Sequence, residues 1–337
     1  MRTDELIATA AAMVQPGKGV LAADESVATI SKRFGALSIE STEENRRQYR
    51  ELLLTAPSID EHVSGVIMFD ETLRQKTGDG TPFPKVLADR GILPGIKVDT
   101  GAKPQAGTPG ETVTEGLDGL RERIEEYYSL GARFAKWRAV IKIGDGLPTA
   151  ASVTANAHAL SRYAMLCQEG GLVPIVEPEV LMEGDHDLAT SGRVTRGVLA
   201  EVFTQLRVAG IDLRGMILKP SMVIPGTAGP SATVDEVASA TVSCLRDSVP
   251  ASVPGIAFLS GGQAPLTATA HLNSMARLGP HPWTLTFSYG RALQDDAVRA
   301  WSGDSSNVAE AQAVLLERVR GNGDAALGRF DASKEAA

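Results

Sequence analysis

Apolar residues gather into eight short runs along the chain, at 19–25, 65–71, 95–99, 134–141, 173–180, 215–219, 255–260 and 283–290. Between the runs, apolar positions recur at helical spacing. In 116–128, Leu117, Leu120, Ile124 and Tyr127 make one stripe with Glu and Arg between them, the pattern of an amphipathic helix. Val198, Val202, Leu206 and Ala209 repeat it and stop before Gly210, a helix terminator. Ser41 or Thr42 caps a further helix running to Pro57. Residues 78–82, Gly-Asp-Gly-Thr-Pro, form a turn. Strand and helix alternating eight times predict an α/β fold, a closed (β/α)8 TIM barrel whose site lies where the strands end. No break in composition marks a second domain, so 1–320 reads as one barrel and 321–337, beginning Gly-Asn-Gly-Asp, as a short flexible tail.

Side chains alternate across a strand, so residues two apart share a face. Lys136 and Arg138 therefore share one face and Trp137 takes the other, while Glu177 pairs with Glu179, Ile217 with Lys219, and Ala22 with Asp24. A barrel strand is covered outside by helices and filled inside by packed side chains. Charges on it must face the pocket at the mouth or stay unpaired at high cost. One Lys–Glu couple could be a structural ion pair; five strands contributing charge together point to a site.

Composition narrows the chemistry. The 337 residues carry a net charge of −8, with 43% hydrophobic and 22% charged positions, an ordinary globular balance without the basic stripe of a nucleic-acid binder. No run reaches transmembrane length and the first residues carry early acids instead of a signal-type apolar block, which points to no membrane and a cytoplasmic address. The two cysteines, Cys167 and Cys244, fit buried structural thiols in a reducing compartment. Against this acidic background, six basic residues (Arg33, Lys97, Lys136, Arg138, Lys219, Arg291) meet three acids (Asp24, Glu177, Glu179) at the predicted mouth, a local positive surplus suited to a polyanion. A sugar bearing two phosphates fits it better than a neutral sugar. Ser260-Gly261-Gly262-Gln263 after the seventh run and Gly290-Arg291 after the eighth stand where barrels commonly hold phosphate.

Lys219 ends a wholly apolar strand. Desolvation there, with Lys136 as a neighbouring ammonium, favours a free amine able to condense with a carbonyl. The protonated imine is an electron sink, so a carbon–carbon bond two atoms away can break, with Asp24 or Glu177 handling protons. The five histidines (His62, His158, His186, His271, His281) form no zinc-binding spacing, and neither a Walker loop nor a Rossmann fingerprint is present. The sequence therefore calls for no metal and no cofactor.

Taken in order, Leu21-Ala-Ala-Asp-Glu-Ser, Gly95-Ile-Lys-Val-Asp, Ala135-Lys-Trp-Arg, Pro174-Ile-Val-Glu-Pro-Glu, Leu218-Lys-Pro, Leu259-Ser-Gly-Gly-Gln and Phe287-Ser-Tyr-Gly-Arg-Ala-Leu-Gln closely resemble class I fructose-bisphosphate aldolase over roughly residues 15–300. The resemblance implies metal-independent cleavage of fructose 1,6-bisphosphate to dihydroxyacetone phosphate and glyceraldehyde 3-phosphate, and a homo-oligomer, usually a tetramer. It implies that Lys219 forms the Schiff base, that Glu177 is the general acid/base and that Asp24 takes the proton from the C4 hydroxyl, with Lys136 and Glu179 completing the network. One phosphate would lie against Ser260, Gly261, Gly262, Gly290 and Arg291 with Ser288 adjacent, and Arg33, Lys97 and Arg138 would face the other end. Two departures stand out. Many members end in a tyrosine that exchanges a proton on the enamine, whereas Phe330 is the last aromatic here, and the family's Lys-Pro-Asn reads Lys219-Pro220-Ser221. Other readings of the same residues are a transaldolase-like Schiff-base barrel or a catalytically silent sugar-phosphate scaffold. The run Leu52-Leu53-Leu54 spans more of a helix than one buried face needs, which suggests either burial all round or a subunit contact.

Overall fold

In the computed structural model, which describes residues 3–331, the eight apolar runs become one parallel sheet. Its strands are β1 (Gly19–Ala23), β2 (Val63–Met68), β3 (Leu93–Lys97), β6 (Phe134–Ile141), β7 (Val173–Val180), β8 (Ile217–Leu218), β9 (Gly255–Phe258) and β10 (Thr284–Phe287), paired in that order. An antiparallel hairpin, β4 (Gly101–Pro104) and β5 (Thr112–Glu115), interrupts the alternation after β3. The ends of the sheet meet. The Ala22 N–H donates to the Tyr289 carbonyl at 3.0 Å, and the Thr286 hydroxyl donates to the Lys18 carbonyl at 2.6 Å. Gln294 donates to the Ala22 carbonyl at 2.6 Å and accepts from the Tyr49 hydroxyl at 3.1 Å. These bonds close the barrel beside β1, the strand that Asp24 follows.

Two apolar layers hold it. Inside, Val20, Ile67, Phe134, Val173, Ile175 and Ile217 pack together, and Leu6, Ala10 and Met13 of the first helix, with Val14 just after it, plug the end away from the site. Gly65 and Gly95 face Phe134 so closely that a Cβ would stand 2.9 and 2.2 Å from its ring, so one phenyl fills the space that three side chains would contest. Outside, the strands bury a larger layer under the helices, including Trp137 packed against Tyr163 with ring centroids 5.6 Å apart. Trp137 therefore takes the face opposite Lys136, as strand parity requires.

The predicted helices form with shifted ends. The helix read in 116–128 starts only at Leu120, because Gly119 is left-handed (φ 63°) and sets its entry. Thr42 caps Glu43–Leu54 by accepting from the Asn45 N–H, and Leu188–Val208 stops before Gly210. Leu52, Leu53 and Leu54 are all buried within the single chain, so they provide no subunit contact. The stretch from 321 that read as a flexible tail is helical to Ala326, with Asn322 fully buried, and the Phe330 N–H donates to the buried Asn273 side chain at 3.0 Å. A Cβ on Gly323 would stand 2.5 Å from the Gly17 carbonyl, so this glycine serves close approach instead of flexibility. Residues 332–337 lie outside the described residues. No helix among the described residues is long and apolar enough to cross a membrane.

Candidate active site

Every barrel strand ends at one face, and a cleft of about 610 Å³ opens there. Asp24 follows β1, Lys97 ends β3, and Lys136 and Arg138 come from β6. Glu177 and Glu179 come from β7, and Lys219 follows β8. Ser260 and Gly261 follow β9, and Ser288, Gly290 and Arg291 follow β10. All of these, with Arg33, line the cleft. Gly262 sits beside it, its Cβ position 3.1 Å from an Arg291 guanidinium nitrogen.

At the floor, Lys136 pairs with two carboxylates, with Nζ 2.8 Å from Asp24 Oδ2 and 3.4 Å from Glu177 Oε2. Glu177 also approaches Lys219, with Oε1 3.3 Å from its Nζ. Lys136, Glu177 and Lys219 are each less than one-twentieth exposed, so the charges act at low dielectric and must answer one another. Burial alone would raise the Asp24 carboxyl, but the ammoniums of Lys136 and Lys219 and the Lys136 hydrogen bond bring it down to about 2. Burial alone would lower Lys136, yet Asp24, Glu177 and Asp99 hold it well above the usual lysine range. At neutral pH Asp24 is therefore a carboxylate and Lys136 an ammonium.

Around the floor the cations are restrained. Lys97 bonds to Asp99 through Nζ–Oδ1 at 2.6 Å and through the Asp99 carbonyl at 2.7 Å. Arg138 Nε donates to Glu179, whose charge holds the guanidinium above its usual range despite burial. Arg33 bonds to Glu25 at 2.7 Å, and Arg50 reaches the same carboxylate at 2.8 Å. The Ser288 hydroxyl is buried and has no partner among the described residues, leaving it available to a ligand.

Sequence parity misses several lining groups. Glu25 follows the last strand residue of β1, where alternation no longer governs direction. Ser26, Thr29 and Lys32 come from the cap and body of the helix Val27–Ala36, which also carries the expected Arg33. Their spacing of three to four was the available signal. With Glu25, Lys32 and Asp99 included, seven basic and five acidic side chains line the cleft, so the positive surplus is smaller than the strand residues alone imply. Cys167 and Cys244 are buried away from it, and burial pushes the Cys244 thiol up to about 11. Among the described residues, no group of His, Cys, Asp and Glu side chains is arranged to hold a metal ion.

Fold and cleft define a (β/α)8-barrel protein whose mouth combines a buried lysine–carboxylate cluster with loops suited to anions. The family model for class-I fructose-bisphosphate aldolase matches residues 5–337, and the chain belongs to that family. It is 59% identical over 332 residues to a probable fructose-bisphosphate aldolase class 1 of Xanthomonas campestris, covering 98% of this chain and 99% of the relative. It is 54% identical over 328 residues to the cytosolic fructose-bisphosphate aldolase 5 of Arabidopsis thaliana, covering 97% and 92%. Among solved structures, the fructose-bisphosphate aldolase of Plasmodium falciparum, crystallised with TRAP and a small-molecule inhibitor, superposes with a TM-score of 0.97 at 48% identity, covering 98% of this chain and 96% of that one.

Proposed function

We propose that the chain cleaves fructose 1,6-bisphosphate reversibly into dihydroxyacetone phosphate and glyceraldehyde 3-phosphate through an imine on Lys219. The carrying observation is the buried Lys219 amine, 3.3 Å from Glu177, on the floor of a cleft rich in cations. The Lys219 amine adds to the substrate carbonyl, and Glu177 delivers the proton that lets the carbinolamine oxygen leave as water. The C3–C4 bond electrons then pass to the iminium nitrogen while the C4 hydroxyl proton moves to Asp24, releasing the aldehyde. A carboxylate held near 2 is reliably ionised but weakly basic. It takes the proton only as the breaking bond makes the hydroxyl acidic. Protonation of the enamine and hydrolysis of the imine free the second product.

In this reading Lys136 keeps Asp24 and Glu177 in place, and Glu179 orients Arg138. One phosphate lies against Ser260, Gly261, Gly262, Gly290 and Arg291 with Ser288 adjacent, and the other end faces Arg33, Lys97 and Arg138. Borohydride reduction in the presence of dihydroxyacetone phosphate tests the mechanism: a stable adduct is expected on Lys219, and its absence there overturns the imine. A cytoplasmic address is inferred with support from relatives named as cytosolic in Arabidopsis thaliana and cytoplasmic in Spinacia oleracea. A homotetramer is inferred from the family resemblance alone; light scattering that returned a mass near 35.4 kDa would refute it.

A further inference from the structure

The loop after β9 is held by a side chain that does not line the cleft. Ser260, Gly261, Gly262 and Gln263 fold into a turn in which the Ser260 carbonyl accepts twice from Gln263, from its backbone N–H at 3.0 Å and from its side-chain Nε2 at 2.9 Å. Gly261 and Gly262 are both left-handed, with φ 60° and 89°, and their amides donate to no group among the described residues. The turn thus presents two free backbone donors next to Arg291. Gln263 is in turn fixed from behind, its Oε1 lying 2.7 Å from Nδ1 of His271, which is buried in the helix Pro265–Arg277.

We propose that Gln263 and His271 form a two-residue strut that holds the Ser260–Gly262 turn in its anion-binding shape, making both positioning residues for the substrate phosphate. The direction of each bond follows from the acceptor at its end. A backbone carbonyl only accepts, so the Gln263 amide nitrogen faces Ser260 and its oxygen faces His271. His271 must then carry its proton on Nδ1. Burial brings this imidazole down to about 4, so it is neutral at working pH and holds one proton, which the glutamine claims. The strut stiffens a segment that is otherwise two consecutive glycines, the residues with most freedom to lose on binding. The inference rests on the phosphate-binding reading given under Proposed function.

The side-chain geometry gives a discriminating test. An asparagine amide nitrogen can stand where Nδ1 stands, whereas a glutamine amide reaches only the place of Nε2. His271→Asn should therefore preserve the strut, and His271→Gln and Gln263→Ala should break it. Two measurements apply: steady-state kinetics on fructose 1,6-bisphosphate, and the rise in melting temperature produced by inorganic phosphate, which needs no turnover. Gln263→Ala and His271→Gln are expected to raise KM about tenfold with kcat within about threefold, and to lose most of the phosphate-induced rise. His271→Asn should stay within about twofold of the native chain in KM. Equal behaviour of His271→Asn and His271→Gln, or a Gln263→Ala variant with native KM and phosphate response, overturns the strut. A native chain that phosphate does not stabilise removes the anion site itself, even where borohydride still traps Lys219, so the two failures are told apart.

Discussion

Glu177 Oε1 stands 3.3 Å from Lys219 Nζ, near enough to pass a proton through a small movement yet longer than the tight ion pairs elsewhere in the cleft. The other Glu177 oxygen faces Lys136 at 3.4 Å. One carboxylate thus sits between two lysine amino groups, and of these only Lys136 has a second close carboxylate, Asp24 at 2.8 Å. Lys136 is held charged by its surroundings, whereas Lys219 approaches a single carboxylate, at 3.3 Å. The asymmetry favours Lys219 over Lys136 as the proposed nucleophile.

Replacing that amine should abolish the reaction. Lys219→Ala removes the nucleophile, and Lys219→Arg substitutes a guanidinium that stays protonated at any working pH. Both are expected to lose at least about 10⁴-fold in kcat, near the background of the assay. Substantial turnover by Lys219→Arg would mean that no imine forms.

Full activity is expected in a strong chelator. The described residues offer no cluster of metal-binding side chains, and the charged floor is already neutralised by lysines. Activity lost to chelator and restored by zinc contradicts this.

The parts of the fold that were legible in the sequence have a common physical cause. Parallel strands buried on both faces read as unbroken apolar runs, and all eight appear where such runs occur. Alternation then placed Lys136 with Arg138 and Glu177 with Glu179, because β6 and β7 are regular over eight residues each. What failed lies outside regular strands. The hairpin β4–β5 carries no apolar alternation; Asn156, on the helix Ala150–Gly170, helps hold it, donating to the Thr112 carbonyl and accepting from the Thr114 N–H. Such a long-range side-chain bond leaves no local signal. The stretch from Gly321 reads as a flexible tail, yet Gly323 lets its helix press against Gly17. Local propensity yields there to tertiary packing.

Arg291 opens the helix that follows β10, at the cleft edge beside Gly262. Arg291→Ala should remove a charged, forked phosphate contact and raise KM for fructose 1,6-bisphosphate by about 30-fold or more, an effect of ~2–4 kcal/mol, with a smaller fall in kcat. Steady-state kinetics on the bisphosphate and on fructose 1-phosphate check it. Unchanged KM for both substrates places Arg291 outside the binding site.

The depressed Asp24 carboxyl gives a stability profile with a defined sign. Its folded value is about 2 against an ordinary 3.8, so between those values the unfolded chain binds more protons. The Asp24 contribution is fully present above about pH 4 and drains away as pH falls toward 2. Urea unfolding at pH 6 and at pH 3.5 should show the native chain losing more stability on acidification than Asp24→Asn. Equal losses in the two proteins would show that Asp24 is not held ionised by Lys136.

Ser221, where the family pattern has asparagine, ties the segment that carries Lys219 to its neighbour. Its buried hydroxyl donates to the Val180 carbonyl at 2.9 Å and accepts from the Val180 N–H at 3.0 Å, at the last residue of the strand that carries Glu177 and Glu179. Two residues earlier, the Lys219 N–H donates to the Val176 carbonyl at 2.8 Å. The segment bearing Lys219 is thus pinned to β7 on both sides of the amine. Ser221→Ala leaves two backbone groups of buried Val180 without this partner, a loss of about 1–3 kcal/mol, and should lower the melting temperature by a few degrees. It should also let the Lys219–Glu177 pair drift, reducing kcat about tenfold with little change in KM, since the phosphate loops are untouched. Ser221→Thr keeps the hydroxyl and should retain most of the stability. An alanine variant with native melting temperature and native kcat would show that the hydroxyl positions nothing.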